Sequence, residues 1–463
     1  MRKIRFLLFA LLALLYVTNV SALTVGNQFT RDGITYQVTL MRPAGNGHTE
    51  LNEVAVVSST LSGTLTIPST VKDLNNQYTF NVTSIASAGS YTNVNAVVLP
   101  STLKTINTNA FSNSQITTIN IPAGTDNIMD GAFAQIENLT AITVDAGNSK
   151  YTAEDGVLYE TKSGNKYLKA YPVAKAGTTF TVPSGVYGVS TNGFQLAKNL
   201  TTINLPASIQ DLPASAEANG FTSAKKLTAI KVDPANTNFK DEDGVVLTQD
   251  GKTLVAYPFA RRGVPDPNYN GPLATMHAGE VYTIPNSVET IAKGAFAQVQ
   301  HITAVKLNNV KKISEGAFYS VRNLRNVELG ASVETIEDGA ITGSPDFTRF
   351  AVDSNNPNYT ADAEGIIYTK NKEELVLYPS GRAGEYSTLP TTKKIRRRAF
   401  YYAQKVTKVN FNSALENIDN DAFQVTTALN EITFAAPSNL TRIGTWVFYM
   451  SGLTKLELPA SLK

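Results

Sequence analysis

The 463-residue chain contains no cysteine, and that absence sets the first limits. No disulfide can staple the fold, so a chain entering an oxidising compartment must be held by its core alone. No cysteine follows the N-terminal apolar run either, which excludes lipid attachment at a bacterial lipobox. Histidine is nearly as scarce, with His48, His277 and His301 the only three. None stands at a useful spacing from a second metal ligand or a nucleophile. No Gly-x-Ser-x-Gly, His-Glu-x-x-His or phosphate-loop sequence occurs. An excess of one charge is missing too: 40 Lys and Arg face 38 Asp and Glu. That balance provides no global field for nucleic acid or an anionic membrane. The reading at this point is a protein without cofactor, metal or catalytic residue, and not an enzyme.

One long apolar run is present, and it is terminal. Arg2, Lys3 and Arg5 precede the stretch from Phe6 to Val17, and Val20-Ser21-Ala22 supplies small residues for cleavage. This reads as a secretory signal peptide over residues 1–22, too short for a spanning helix. Its removal takes three basic residues, leaving 40 − 3 = 37 against 38 acidic, or −1. The expectation is a protein that is secreted or held at a bacterial cell surface, with no membrane insertion once the signal is gone.

What fills the rest is repetition. Tyr282-Thr-Ile284-Pro285 runs on through Val288, Ile291, Gly294-Ala295-Phe296, Val299, Ile302 and Val305-Lys-Leu307. The order then recurs as Val310, Ile313, Gly316-Ala317-Phe318, Val321, Leu324 and Val327-Glu-Leu329. Phe296 to Phe318 is a step of 22 residues. The alternation in Val305-Lys-Leu307 is the period of a half-buried strand. Pro285 stops pairing after its strand. Gly-Ala-Phe with an apolar residue three further on suggests one helical or 3-10 turn. Such strands recur from Ile67 to Leu458, and no single unit can bury its apolar face alone. The fold class expected is an α+β repeat solenoid. It is a leucine-rich-repeat-like right-handed coil with a parallel β-sheet face, short helical turns and three inserted β-hairpins.

The inserts share one pattern. Each follows a strand ending Val-Asp, at Val144-Asp145, Val232-Asp233 and Val352-Asp353. Each then carries an acidic residue with Gly, two apolar strands and Tyr-Pro, as in Asp155-Gly156-Val157-Leu158-Tyr159…Tyr171-Pro172. These predict hairpins over about 146–172, 234–258 and 354–379, projecting from one edge of the solenoid outside the main sheet. Residues 264–280 read as an irregular loop insertion. Residues 23–62, with Asp32-Gly33 between strand-like pieces, read as an N-terminal β cap before a solenoid over 63–463.

These features together resemble the BspA-like leucine-rich repeat family of bacterial surface proteins. The residues carrying the likeness are the Ile-x-Ile-Pro-x-Ser-Val-x-x-Ile-x-x-x-Ala-Phe pattern, the Val-Asp hairpin module and Gly33-Ile-Thr-Tyr36. Members often carry Cys three residues after the Phe, where this chain has Ser114, Ile136, Val299, Val321, Ala403 and Thr426. The resemblance implies surface display and adhesion to host proteins, matrix or other cells. Because those roles belong to whole surfaces, no site residue is carried over.

Strand alternation places polar residues on the outer face of the sheet. The candidate binding face comprises Asn120, Asn204, Lys231, Lys306, Glu328, Arg349, Lys408, Asn410, Glu431 and Lys455. A protein or matrix ligand is the expected partner, with no nucleic acid. Two alternatives stand beside adhesion: a glycan-binding or glycan-processing site near loop 264–280, and a purely structural surface-layer role. The sequence Asp241-Glu242-Asp243-Gly244 reads as a turn rather than a calcium loop. Arg396-Arg397-Arg398 reads as a solvated face, and Tyr171, Tyr257 and Tyr378 as packing residues rather than sugar platforms. Trp446 reads as core-edge. Leu456-Glu457-Leu458-Pro459 reads as a last strand with an open edge, which predicts either a frayed end or end-to-end self-association, with Leu456 and Leu458 partly exposed.

Overall fold

The computed structural model describes residues 23–44, 50–262 and 281–462. The loop 264–280, with His277, and also His48 and the predicted signal peptide lie outside the described residues.

Each coil contributes to three stacked faces. The alternating strands form the first, a parallel ladder such as Val281–Thr283, Ala304–Lys306, Asn326–Leu329 and Arg349–Val352. Two-residue Thr-Ile or Lys-Ile strands form the second, as Thr290–Ile291 pairs with Lys312–Ile313 and that with Thr335–Ile336. The Gly-Ala-Phe turns form the third. Among the described residues there is no helix, which corrects the α+β class and the expected helical turns. The reason lies in the backbone. The residues two before and two after the aromatic are left-handed: Gly294 and Gln298 around Phe296 (φ 62° and 62°), Arg398 and Tyr402 around Phe400 (φ 59° and 59°). A right-handed helix cannot pass through two such positions. Instead the amides bond to the next coil, Phe296 N to Ala317 O at 2.8 Å and Gln298 N to Tyr319 O at 2.8 Å.

The turn aromatics stack through the interior. Tyr257, Phe296 and Phe318 follow one another at 4.9 and 4.7 Å between centroids. Tyr378, Phe400 and Phe423 do so at 4.3 and 4.4 Å. Each stack starts at the tyrosine of a Tyr-Pro, so Tyr257 and Tyr378 are core residues. Tyr171 likewise lies 5.5 Å from Phe194, and burial pushes its hydroxyl pKa up to about 12.

The inserts do not project, contrary to expectation. Each is a three-stranded antiparallel meander, for example Tyr151–Glu154, Val157–Lys162 and Asn165–Ala170. Its third strand enters the second ladder, pairing in parallel with Val186–Val189. The same path is taken by Thr253–Ala256 to Thr290–Ile291 and by Glu374–Leu377 to Lys394–Ile395. The middle strands are apolar on both faces, which is the signature of a strand covered on both sides. Val157, Val245 and Ile366 are accordingly buried.

Among the described residues the apolar side chains gather into four large clusters, and the meanders are the walls between them. Leu158 faces the first cluster, while Val157 and Tyr159 face the second. Val246 and then Val245 with Leu247 divide in the same way, as do Ile367 and then Ile366 with Tyr368. Alternation along a strand makes one element serve two cores. The N-terminal strands Gln28–Arg31, Ile34–Arg42 and Leu51–Ser59 repeat this meander, and the third again pairs in parallel, with Thr79–Ile85.

The turns of these meanders close the first ladder. Asp155-Gly156 and Asp243-Gly244 have positive φ at both residues (48° and 75°, 50° and 80°), the two-residue geometry that fits a twisted hairpin. The glycine carbonyls accept Ile142 N at 2.8 Å and Ile230 N at 2.9 Å, from the last strand of the preceding block. Gly365 O accepts Phe350 N at 2.9 Å in the same manner. An edge that would stay open is thereby capped.

Two further expectations need correction. Trp446 is 69% exposed rather than core-edge, because its left-handed backbone (φ 56°) turns the indole outward beside Tyr449. Residues 456–459 form no strand, although Leu456 and Leu458 are partly exposed as expected, at 36% and 50%.

Candidate functional site

The polar face of the first ladder is largely occupied with itself. Asn120 Nδ2 donates to Asp145 Oδ1 at 2.7 Å, and Thr143 Oγ1 donates to Asn120 Oδ1 at 2.8 Å. Asn204 Nδ2 donates to Thr181 Oγ1 at 3.0 Å. Ser387, Asn410 and Thr433 form a continuous ladder at 3.1 and 2.6 Å. Lys231 pairs with Asp241 at 3.0 Å, Lys408 with Glu431 at 2.7 Å and Lys455 with Glu457 at 2.5 Å. Those that cross paired strands, such as Asn120 with Thr143 and Lys408 with Glu431, are the ordinary stabilisers of a sheet surface.

The candidate residues also do not converge. Asn120 lies in Thr118–Ile121, while Asn204 and Lys231 lie in the ladder of Thr202–Leu205 and Ala229–Val232. Lys306, Glu328 and Arg349 share the ladder that starts at Val281. Lys408, Asn410 and Glu431 share the one that ends at Phe434, and Lys455 lies beyond the last strand. The meanders separate these groups. Ala304 and Asn326, outward by alternation, are buried, and Val281 packs against Ala304 in a small cluster of its own.

Asp241 has a local task. Burial disfavours its charge, but the amides of Val232 and Gly244 and the Lys231 ammonium outweigh burial and hold it below the usual carboxylate range. That is a turn-stabilising carboxylate with its oxygens already engaged. Among the described residues no cluster of His, Asp and Glu is arranged to hold a metal ion.

The arginine run is not a solvated face but a clamp. Arg397 Nη2 and Arg398 Nη1 both donate to Glu315 Oε1, at 2.9 and 3.0 Å. Lys293 reaches the other oxygen of Glu315 at 3.3 Å, and Arg396 pairs with Glu374 at 2.6 Å. Burial pushes the nearby Asp338 carboxyl up, against the pull of Arg397. The contacts join the turns of two neighbouring blocks. Glu315→Ala is expected to cost about 1–2 kcal/mol, since the carboxylate is only partly screened. Urea melts would read this, with the cost shrinking as salt is raised.

A concavity lies on the turn face. Its volume is about 660 Å³. It is lined by the left-handed residues two past the aromatics, Ser223, Gln298, Ser320 and Tyr402. The residues four past them, Lys225, Gln300, Arg322 and Gln404, also line it. Ser223 Oγ donates to Gln298 Oε1 at 2.7 Å across two blocks. The signal available in the sequence was the run of polar residues at these two offsets. Their convergence depends on the coils stacking in register.

A strap crosses the same face. Asn219 Nδ2 donates to Gly294 O at 3.0 Å and Ala295 O at 3.2 Å, so the segment before it lies across the turns of the following block. Gly294 and Gly316 have no side chain there because the carbonyls of Ser215 and Ala216 occupy the space.

The family of the BspA type Leucine rich repeat region matches residues 60–164, 171–242, 279–363 and 388–463, in 6 copies. No curated protein matches the chain. Solved structures similar to it include a leucine-rich repeat protein from Eubacterium ventriosum, at 18% identity and a TM-score of 0.45, covering 92% of this chain and 95% of that one. The pneumococcal vaccine antigen PcpA is similar at 18% identity and a TM-score of 0.32, covering 95% and 78%. A leucine-rich repeat protein from Bacteroides ovatus is similar at 18% identity and 0.30, covering 91% and 92%.

Proposed function

We propose, from the premise that the chain belongs to the BspA type leucine-rich repeat family, that it is exported and displayed at a bacterial surface as an adhesion solenoid. The observation that carries this reading is the division of labour in the coils: apolar residues inward, and polar, mixed-sign residues along the outer face of the first ladder. A surface of that kind gains binding from many modest contacts over a long body rather than from one apolar hot spot. The ligand class is a host protein, matrix component or other cell.

The purified chain is expected to bind immobilised matrix proteins or whole cells saturably. The pair Lys231→Glu and Lys408→Glu is expected to weaken that binding about tenfold through the altered charge pattern. Cell fractionation should place the chain at the surface or in the medium. Retention inside the cell, or no binding to any matrix protein or cell type, would refute the proposal.

A further inference from the structure

The groove on the turn face gathers several cations on one concave wall. We propose that it binds an anionic glycan, a polysaccharide bearing carboxylate or sulfate groups, laid across successive coils. The inference rests on the reading of the chain as a surface binding solenoid and gives that reading a ligand class.

Charge is the first argument. Among the described residues Lys225, Arg322 and Lys405 line the groove, and no carboxylate does. Many cations elsewhere sit beside a carboxylate, as Lys311 with Glu289 at 3.0 Å and Lys312 with Glu337 at 2.6 Å. Lys405 meets Asp346 at the rim, at 3.9 Å. Among the described residues Lys225 and Arg322 have no acidic partner. A concave wall carrying unmatched charge of one sign focuses its field on an oppositely charged ligand.

The neutral groups argue for sugar rather than peptide. Gln298, Gln300 and Gln404 each offer a donor and an acceptor, the pairing that hydroxyl-rich chains require. Tyr402, half-buried, presents an aromatic ring with a polar tip. An extended peptide would want a free strand edge or apolar side-chain pockets. The backbone here is already paired coil to coil, Ser320 N to Thr342 O at 2.9 Å and Tyr402 N to Gln424 O at 3.1 Å. Equivalent residues recur at the coil spacing of about 4.8 Å, close to the length of one sugar ring. The volume of about 660 Å³ suits a segment of a few such rings.

The test is calorimetric titration of the full purified chain with four probes: polygalacturonate fragments, heparin fragments, neutral dextran and polyglutamate. One or both anionic glycans should bind, more weakly as salt is raised, and dextran should not. Lys225→Gln with Arg322→Gln should weaken glycan binding about tenfold. Both side chains are exposed, so the melting temperature should stay unchanged. Arg322→Lys should retain most of the affinity. Polyglutamate binding as tightly as the glycans would overturn the inference and assign the groove to an acidic protein. Absence of binding to either anionic glycan, or a double variant that binds unchanged, would also overturn it. Adhesion to matrix or cells measured in parallel separates the two levels. If adhesion persists without glycan binding, only the groove assignment fails; if the chain binds nothing at all, both fail.

Discussion

Phe318→Ala is expected to destabilise the chain by about 3–5 kcal/mol, the cost of emptying a fully buried aromatic site. Phe318 is 0% exposed and stacks on Phe296 at 4.7 Å with an interplanar angle of 11°. Neighbouring coils are already hydrogen-bonded on three faces, so they cannot collapse into the space cheaply. In a repeat protein the damage stays local, because each unit touches only its neighbours. Hydrogen exchange should therefore show lost protection between Val245 and Leu377, the span of the cluster that holds Phe318. Protection in the first cluster, around Val54 and Ile106, should persist. An unchanged melt, or loss spread evenly over the chain, would contradict this account.

The second large effect is expected at Gly316. Its φ of 62° is left-handed, which costs an L residue about 1–2 kcal/mol by itself. A Cβ there would also collide with the Ala216 carbonyl oxygen, with the Ala216 carbonyl carbon 2.5 Å away. Those are backbone atoms, so relief requires the strap itself to lift. Gly164 is the control: its φ is 81°, and nothing lies within 4 Å of an added Cβ. Gly164→Ala should cost the conformational strain alone. Gly316→Ala should cost at least about 2 kcal/mol more and open the strap around Ser215–Glu217 to proteolysis. Equal losses in the two variants would show that the strap rests only loosely on the turns.

The strands and their spacing were legible because each depends on a local alternation, as in Val327-Glu-Leu329. The turns were not. Gly-Ala-Phe with Val299 three residues on has a helical spacing, but the outcome is decided by left-handed backbone at positions occupied by Gln298, Arg398, Tyr402 and Trp446. None of those residue types announces that conformation. Asp-Gly in the inserts correctly marked tight hairpins, yet the partner of the third strand is a tertiary matter. The double-sided apolar run Val157-Leu158-Tyr159 was the available sign that the hairpin is enclosed. Asp32-Gly33 marked a hairpin turn in the same way at the N-terminus, where Arg31 pairs with Ile34. The outer face of the sheet was readable from alternation, but its internal pairing, such as Ser387 with Asn410, was not. The groove needs residues from coils far apart in sequence, Ser223 and Gln298 for instance, and no local pattern foretells that meeting.

The shared walls bear on where melting can begin and where it halts. A coil stack without interruptions would let an unfolding front run freely from one end, each step exposing one coil face. Here the front reaches a strand whose alternate side chains, Val245 and Leu247 against Val246, are anchored in two different cores. Passing it means wetting a face of the next core before any further chain entropy is released. The meanders thus act as firebreaks: fraying at either end consumes one block and stalls, and an interior block opens only by breaching a wall on each side.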